Sequence, residues 1–324
     1  MQAETGSDIN RAKHELRKGN LVAIPTETVY GLAANGLDEQ AITTIFLAKN
    51  RPQFNPLILH VCDKVAARKL TISWPEKAES LADAFWPGPL TLLLTKNAQI
   101  PDLITAGSPL VAIRVPSHPL TQSLLQAIDF PLAAPSANPS GYISPTTARH
   151  VQQQLGDRIA YILDGGEAGV GIESTIIGFN KQGNALLYRL GGLSLEAIEE
   201  VVGPVATAQK EHHKPATPGR LERHYAPETS FVISTRTDDL QQFKGKKIGA
   251  LTFCEPWPKI DTDRQLLLSK EGDTSEAARN LFRMMRELDA MDLDLIVTEL
   301  LPNEGLGPAI NDRLRRASYD SRVD

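Results

Sequence analysis

Cysteine is nearly absent: Cys62 and Cys254 are the only two in 324 residues, and no C-x-x-C spacing occurs. That scarcity excludes a disulfide framework and a zinc knuckle, and it fits a reducing compartment. Long apolar runs are also missing. None approaches the roughly 18 residues of a membrane span, and the amino-terminal MQAETGSDIN is polar, without the apolar stretch of a signal peptide. A soluble, cytoplasmic protein with no membrane partner is expected. Positive charge is not in excess: 34 Lys and Arg face 39 Asp and Glu, a formal net charge of -5. This balance argues against a protein whose main business is coating nucleic acid, although a local basic cleft is compatible with it. The standard nucleotide motifs are lacking too. The glycine-rich turn DGGEAGVGIEST at 164–175 does not match G-x-G-x-x-G, and G-x-x-x-x-G-K-[ST] occurs nowhere. There is no internal repeat of useful period and no low-complexity tract.

What is present is ordinary globular material, 41% hydrophobic and 23% charged, in a chain long enough for two domains. Helical and strand patterns alternate, which defines a mixed α/β fold. A helix at 8–18 is capped by Asp8 and followed by Gly19, and LVAIP then reads as a short buried strand. Hydrophobic patterning continues to the helix SLEAIEEVVG and collapses after Gly203 into GPVATAQKEHHKPATPGRLERHYAPE. The domains are therefore expected at 7–203 and 229–324, joined by a linker at 204–228. His212 and His213 have no second pair at metal spacing and are read as solvated. The later TPGRLERHYAP, with a Pro218-Gly219 turn, basic groups and Tyr225, is too specific for a plain tether. It has the makings of a cover over a nucleotide. Beyond it, FVIST, KKIGALTF, an amphipathic helix from about Thr274 to Met291, LDLIVTEL and GPAINDRLRRAS suggest a second, mostly parallel α/β unit. Arg313, Arg315 and Arg316 are read there as a solvated helix end.

The densest chemistry lies in LAKNRPQFNPLILH, residues 47–60. Lys49 and Arg51 end a helix capped by Asp38, and cations at a helix C-terminus alone need no more than the macrodipole, up to about 1 kcal/mol each. Pro52 and Pro56, however, stiffen the loop and deliver both cations and Asn55 beside a strand, an arrangement suited to an anion. His60 sits in that apolar strand, either as a satisfied core residue or facing a pocket. The loop TETVYGLAANG, carrying Thr26, Glu27, Thr28 and Tyr30, and the stretch FPLAAPSANPSGYISP, carrying Ser136, Asn138, Ser140 and Ser144, are hydroxyl-rich strand ends, where open α/β sheets bind ligands. Arg114, inside PLVAIRVP, must pair with a structural or a bound carboxylate, since burying it alone would cost several kcal/mol. Ser174 opens the strand STIIGF, and Arg189 ends ALLYRLGG.

In order and spacing, PTETVYGLAAN, the K-x-R of Lys49 to Arg51, NPLILH, WPGPLTLLL, VAIRVP, APSANPSG and GIESTII resemble the YrdC family along residues 8–203. TPGRLERHYAP and PNEGLGPAINDRLRRAS extend the resemblance to the family's long, two-domain form, the threonylcarbamoyl-AMP synthases. The resemblance implies a YrdC-like twisted mixed sheet with helices on both faces and a concave cleft, plus a smaller Rossmann-like C-terminal α/β domain. It implies formation of L-threonylcarbamoyladenylate and pyrophosphate from L-threonine, bicarbonate or CO2, and ATP, for N6-threonylcarbamoyladenosine in tRNA. Under it Lys49 and Arg51 are catalytic, and Arg51, Asn55, Ser136, Asn138, Ser144, Arg189, His224 and Tyr225 bind ATP, the last two as a lid. Thr28, His60, Arg114, Ala134 and Ser174 surround threonine, with Arg114 on its carboxylate. Mg²⁺ accompanies ATP with no protein ligand assigned. The implied partners are a threonylcarbamoyl transferase that consumes the product and, transiently, tRNA. The alternative is an RNA-binding accessory protein using the same cationic cleft. A carbamoyltransferase is weaker, because accessory zinc and acylphosphatase-like segments are missing.

Overall fold

A computed structural model describes residues 2–208, 224–234 and 240–319 of the chain. His212, His213 and the TPGRLER portion of the linker motif lie outside the described residues. The first sheet contains β1 (Glu4–Gly6), β2 (Val22–Ile24), β3 (Gly31–Asn35), β4 (Ile58–His60), β5 (Leu90–Thr95), β6 (Leu110–Arg114), β7 (Leu132–Ala133), β8 (Tyr161–Leu163), β9 (Thr175–Phe179), β10 (Ala185–Arg189) and β11 (Ala206–Thr207). Their order across the sheet is β1-β8-β2-β3-β7-β4-β6-β5-β9-β10-β11. The sheet is mixed: β4 and β6 run parallel, whereas β5 and β6 are antiparallel. It extends past both ends of the expected catalytic segment, through β1 pairing with β8 and β11 pairing with β10. These short edge strands carry little apolar pattern and are held by ladder pairing, so hydrophobic periodicity does not reveal them.

Helices cover both faces because the strands alternate. Ala23 packs in a cluster with Ile42, Ile45 and Phe46 of the helix Glu39–Lys49 and Val151 and Leu155 of the helix Ala148–Leu155. Its neighbours Val22 and Ile24 point the other way, onto Ala12 and Leu16 of the helix Ile9–Arg17 and onto Leu124 and Leu125. The capping expectations hold locally. Asp8 accepts from the amides of Asn10 and Arg11, and Asp38 accepts from Gln40 and Ala41.

The second sheet joins β12 (Ser230–Ile233), β13 (Ile248–Thr252), β14 (Gln265–Leu267) and β15 (Leu295–Thr298) in the order β12-β15-β13-β14. All its pairings are parallel, as in a Rossmann-like unit. Phe231, Leu251 and Ile296 face the helices Thr274–Asp289 and Gly307–Ala317, while Ala250, Leu295 and Val297 pack on Trp257 and Ile260. The first of these clusters also takes in Val29, Ile143 and Ile172 from the large sheet's loops. A shared apolar core thus seats the second unit against the strand ends of the first.

Candidate active site

Strand register builds one wall of the site. His60 on β4 is opposite Arg114 on β6, and Arg114 is in turn opposite Thr91 on β5. Residues in register share a face, and so do residues two apart. Ile58, Leu93 and Ala112 therefore form an apolar floor with Ile176 on the side where His60 and Arg114 project. Loops leaving β2, β7 and β10, and the turn that enters β9, close around this row.

Ten of the residues expected from the sequence line one pocket: Thr28, Arg51, His60, Arg114, Ala134, Ser136, Ser174, Arg189, His224 and Tyr225. Lys49, Asn55, Asn138 and Ser144 lie behind that lining. Lys49 is 1% exposed, and its Nζ donates to the main-chain carbonyls of Ser136 and Asn138. Instead of ending a helix in solvent, it ties that helix to the Ser136 loop. Burial, then repulsion from Arg51, pulls its pKa well below the ordinary lysine value. Arg51 is equally enclosed, donating from Nε to the Asn55 carbonyl at 3.2 Å and from Nη2 to that of Pro56 at 2.8 Å. Burial pulls its guanidinium down to about 9, still charged at neutral pH. The buried side-chain amide of Asn55 has no hydrogen-bond partner among the described residues, and neither does Asn138 Oδ1. Asn138 Nδ2 is spent on the carbonyls of Pro139 and Tyr142, at 2.9 and 2.8 Å.

Arg114 finds a structural carboxylate. Its Nη2 lies 2.7 Å from Glu27 Oε1, Nη1 donates to Thr28 Oγ1 at 2.8 Å, and Nε donates to the Gly88 carbonyl at 3.2 Å. Burial would raise the Glu27 carboxyl, but the adjacent Arg114 outweighs it and holds Glu27 below the usual value. Thr26 is a local cap, accepting from the amides of Thr28 and Val29 at 3.2 Å each. His60 is 3% exposed; burial first, then Arg114, lowers its pKa to about 3, so its ring is neutral. Ser174 Oγ meets Thr91 Oγ1 at 2.7 Å, and Arg189 grips the Ser174 carbonyl from Nε and Nη2 at 3.1 and 2.9 Å.

His224 and Tyr225 enter from the far side of the linker. Tyr225 takes a left-handed φ of 63° and stacks on Phe282, ring centroids 5.4 Å apart. Burial, then the Glu173 charge, pushes its phenol up to about 12, so it stays protonated. His224 makes an edge contact with Tyr225 at 4.0 Å, and burial lowers its pKa to about 3.

Sequence reasoning missed Glu173, which lines the pocket. Its only signal was its place in GIEST. Arg313, expected in solvent, is instead 0% exposed and ion-paired to Glu173 at 3.1 Å. Helix-end position misled here, because the helix Gly307–Ala317 turns that face into the other domain. Burial would raise the Glu173 carboxyl, but Arg313 and Arg189 hold it below the usual value. Its Oε1 accepts the Ser144 hydroxyl at 2.6 Å. With that proton committed, Ser144 offers lone pairs to any further partner.

Three buried guanidiniums, two carboxylates and a ring of hydroxyls at strand ends define an enzyme-like site for a small, strongly anionic ligand. Residues 14–191 match the Sua5/YciO/YrdC family model, described as "Telomere recombination", and residues 193–318 match the model "Threonylcarbamoyl-AMP synthase, C-terminal domain". The chain belongs to the Sua5/YciO/YrdC family, in its two-domain form. It is 43% identical to the threonylcarbamoyl-AMP synthase of Pyrococcus abyssi, over 94% of this chain and 92% of that protein. To the threonylcarbamoyl-AMP synthase of Bacillus subtilis it is 39% identical, over 96% and 92%. The crystal structure of P. abyssi Sua5 complexed with L-threonine superposes with a TM-score of 0.90 at 40% identity, covering 98% of this chain and 97% of that one.

Proposed function

We propose that this chain is an L-threonylcarbamoyladenylate synthase. It joins L-threonine, bicarbonate or CO2, and ATP into threonylcarbamoyl-AMP and pyrophosphate, and the adenylate serves N6-threonylcarbamoyladenosine formation in tRNA. The observation that carries this reading is Arg51, a buried guanidinium whose hydrogen bonds go to main-chain carbonyls, in one pocket with Arg114 and Arg189. Such a charge is costly unless an anion completes it.

The neutral threonine amine adds to CO2 and loses a proton, giving a carbamate. A carbamate oxygen then attacks the ATP α-phosphorus, the bond to the bridging oxygen breaks, and pyrophosphate leaves. No enzyme nucleophile takes part, so the residues position reactants and stabilise developing charge. Arg51 and Arg189 face the phosphates, and Ser136 donates to them. Lys49 trades a carbonyl partner for a phosphate oxygen as the nucleotide enters. The unpartnered side-chain amide of Asn55, Asn138 Oδ1 and the lone pairs of Ser144 suit the ribose and base. Threonine lies along the β4–β6 row: Arg114 holds its carboxylate in competition with Glu27, while Thr28, His60, Ser174 and the main chain at Ala134 surround the rest. His224 and Tyr225 cover the nucleotide and keep water from the adenylate.

Mg²⁺ enters as part of the nucleotide substrate. Among the described residues no group of three or more His, Cys, Asp or Glu is placed to hold a metal, and Glu173 is committed to Arg313 and Ser144. No helix among the described residues is long and apolar enough to cross a membrane. The cytoplasm is the proposed location, where a threonylcarbamoyl transferase takes up the adenylate and tRNA contact is transient. The enclosure of the cationic groups favours a small ligand over an RNA backbone, which needs cations on an open surface.

The test is pyrophosphate release from ATP with threonine and bicarbonate omitted in turn, with mass analysis of the nucleotide. Release that needs both, together with the threonylcarbamoyl adenylate mass, supports the synthase. Release that ignores them, or RNA binding that falls steeply with salt and needs neither, overturns it.

A further inference from the structure

Arg313 belongs to the second domain and does not line the pocket, yet it touches three segments that do. Its Nε and Nη2 donate to Glu173 Oε2 at 3.2 and 3.1 Å. Its Nη1 donates to the carbonyl of Leu190, the residue after Arg189, at 2.6 Å. The central carbon of its guanidinium lies over the Tyr225 ring, 5.5 Å from the ring centre. All three targets are buried or half-buried, and the Arg313 side chain is fully enclosed. Glu173 sends its other oxygen to Ser144, so one guanidinium organises the turn before β9, the end of β10, the cover residue Tyr225 and, through Glu173, Ser144.

Chemically, Glu173 is the awkward group. A carboxylate in the wall of a pocket built for phosphates repels the ligand unless its charge is answered from behind. The planar fork of Arg313 answers it from outside the pocket and reaches the backbone beside Arg189 with its remaining nitrogen. A lysine, a point charge without a fork, could do only the first of these.

We infer that Arg313 is a positioning residue through which the second domain sets the nucleotide half of the pocket, neutralising Glu173 and holding the Arg189 strand end and Tyr225 in their ligand-binding places. The β4–β6 row of the threonine half, His60 and Arg114, has no hydrogen bond or ion pair to Arg313 among the described residues; only Ser174 is linked to it, through Glu173 and Arg189. This inference rests on the reading that the pocket takes ATP.

The experiment compares Arg313→Gln with the wild type in pyrophosphate release, titrating ATP and threonine separately, alongside calorimetric ATP binding and thermal unfolding. The variant is expected to weaken ATP binding and raise the KM for ATP at least about tenfold, the usual scale for unpairing a buried charge, while the KM for threonine stays within about twofold. Arg313→Lys should recover part of the loss. Adding Glu173→Gln to Arg313→Gln should also recover ATP affinity, because the uncompensated charge is gone, giving a strongly non-additive cycle. Arg283→Ala is the control for loosened docking, since Arg283 reaches Glu167 across the interface at 3.4 Å in a solvent-accessible pair; it should leave the ATP response unchanged.

Equal rises in both KM values, additive double-variant losses, or unchanged ATP affinity would overturn the inference and leave Arg313 a general strut. If Arg313→Gln does not fold, Arg313→Lys and the charge-free double variant carry the same comparison. A wild type that binds ATP but releases no pyrophosphate would defeat the synthase reading alone, because ATP affinity in the variants still decides the role of Arg313.

Discussion

The guanidinium of Arg114 stands 2.7 Å from the carboxylate of Glu27, with only 4% and 14% of the two side chains exposed. The pair completes Arg114 structurally in the very place where a substrate carboxylate is proposed to bind. Arg114→Ala should therefore do two things. It strands Glu27, lowering unfolding stability by about 3–5 kcal/mol, and it raises the threonine requirement. The double variant Glu27→Gln/Arg114→Gln separates these effects: denaturant melts should show stability restored, whereas the threonine KM should stay high. Restoration of both would mean that Arg114 never touches threonine.

Lys49 is no surface cation, and its loss will not be silent in the fold. Lys49→Met should leave the carbonyls of Ser136 and Asn138 short of a donor, at about 1–3 kcal/mol for each buried group left unsatisfied. Turnover should fall by orders of magnitude with a reduced melting temperature. Arg51→Ala also removes donors from the carbonyls of Asn55 and Pro56, and its loss of turnover should appear mainly as weaker ATP binding. Full turnover in either variant would remove that residue from the anion site.

Acid should destabilise the protein above the carboxylate range. Burial lowers the pKa of His60 and His224 to about 3 and that of His150 to about 4, from 6.5. The unfolded chain takes up these protons as pH falls through 6.5, while the folded state refuses them. Stability contributed by neutral burial is thus complete above the unfolded value and is lost progressively below it. Between pH 6.5 and about 5.5, where a glutamate of the ordinary pKa of 4.5 is still mostly ionised, urea midpoints should decline steadily. A flat profile there would show these rings reach solvent.

Gly191 tests how tightly the strand ends are packed. A Cβ at this position would run into the main chain of Glu173 and Ser174. Gly191→Ala should cost about 1–3 kcal/mol, as overpacking does, and should impair activity by displacing the turn that carries Ser174. Wild-type stability and turnover would mean the turn moves freely.

Local signals were legible where chemistry is local. Asp8 and Asp38 read as caps because a short acceptor before an amphipathic run meets free amides, and both do so. Thr28, Arg51, Arg114 and Ser174 stood out because prolines, glycines and strand ends place polar groups at a sheet's edge, and all four line one pocket. Arg313 was misread because a basic group in the last turns of a helix is ordinarily solvated, and nothing within that helix says which domain it will face.

The amino-acid sequence by itself determined the α/β alternation, the family and most of the residues that gather at the pocket, since each depends on patterns within a few residues or on motif order. Tertiary structure alone decided the partners of the buried charges. Glu27 meets Arg114, Glu173 meets Arg313, and Lys49 meets the carbonyls of Ser136 and Asn138. A buried ion must be answered by whatever the fold brings within a few ångströms, and that neighbour is set by strand order and domain docking, not by distance along the chain.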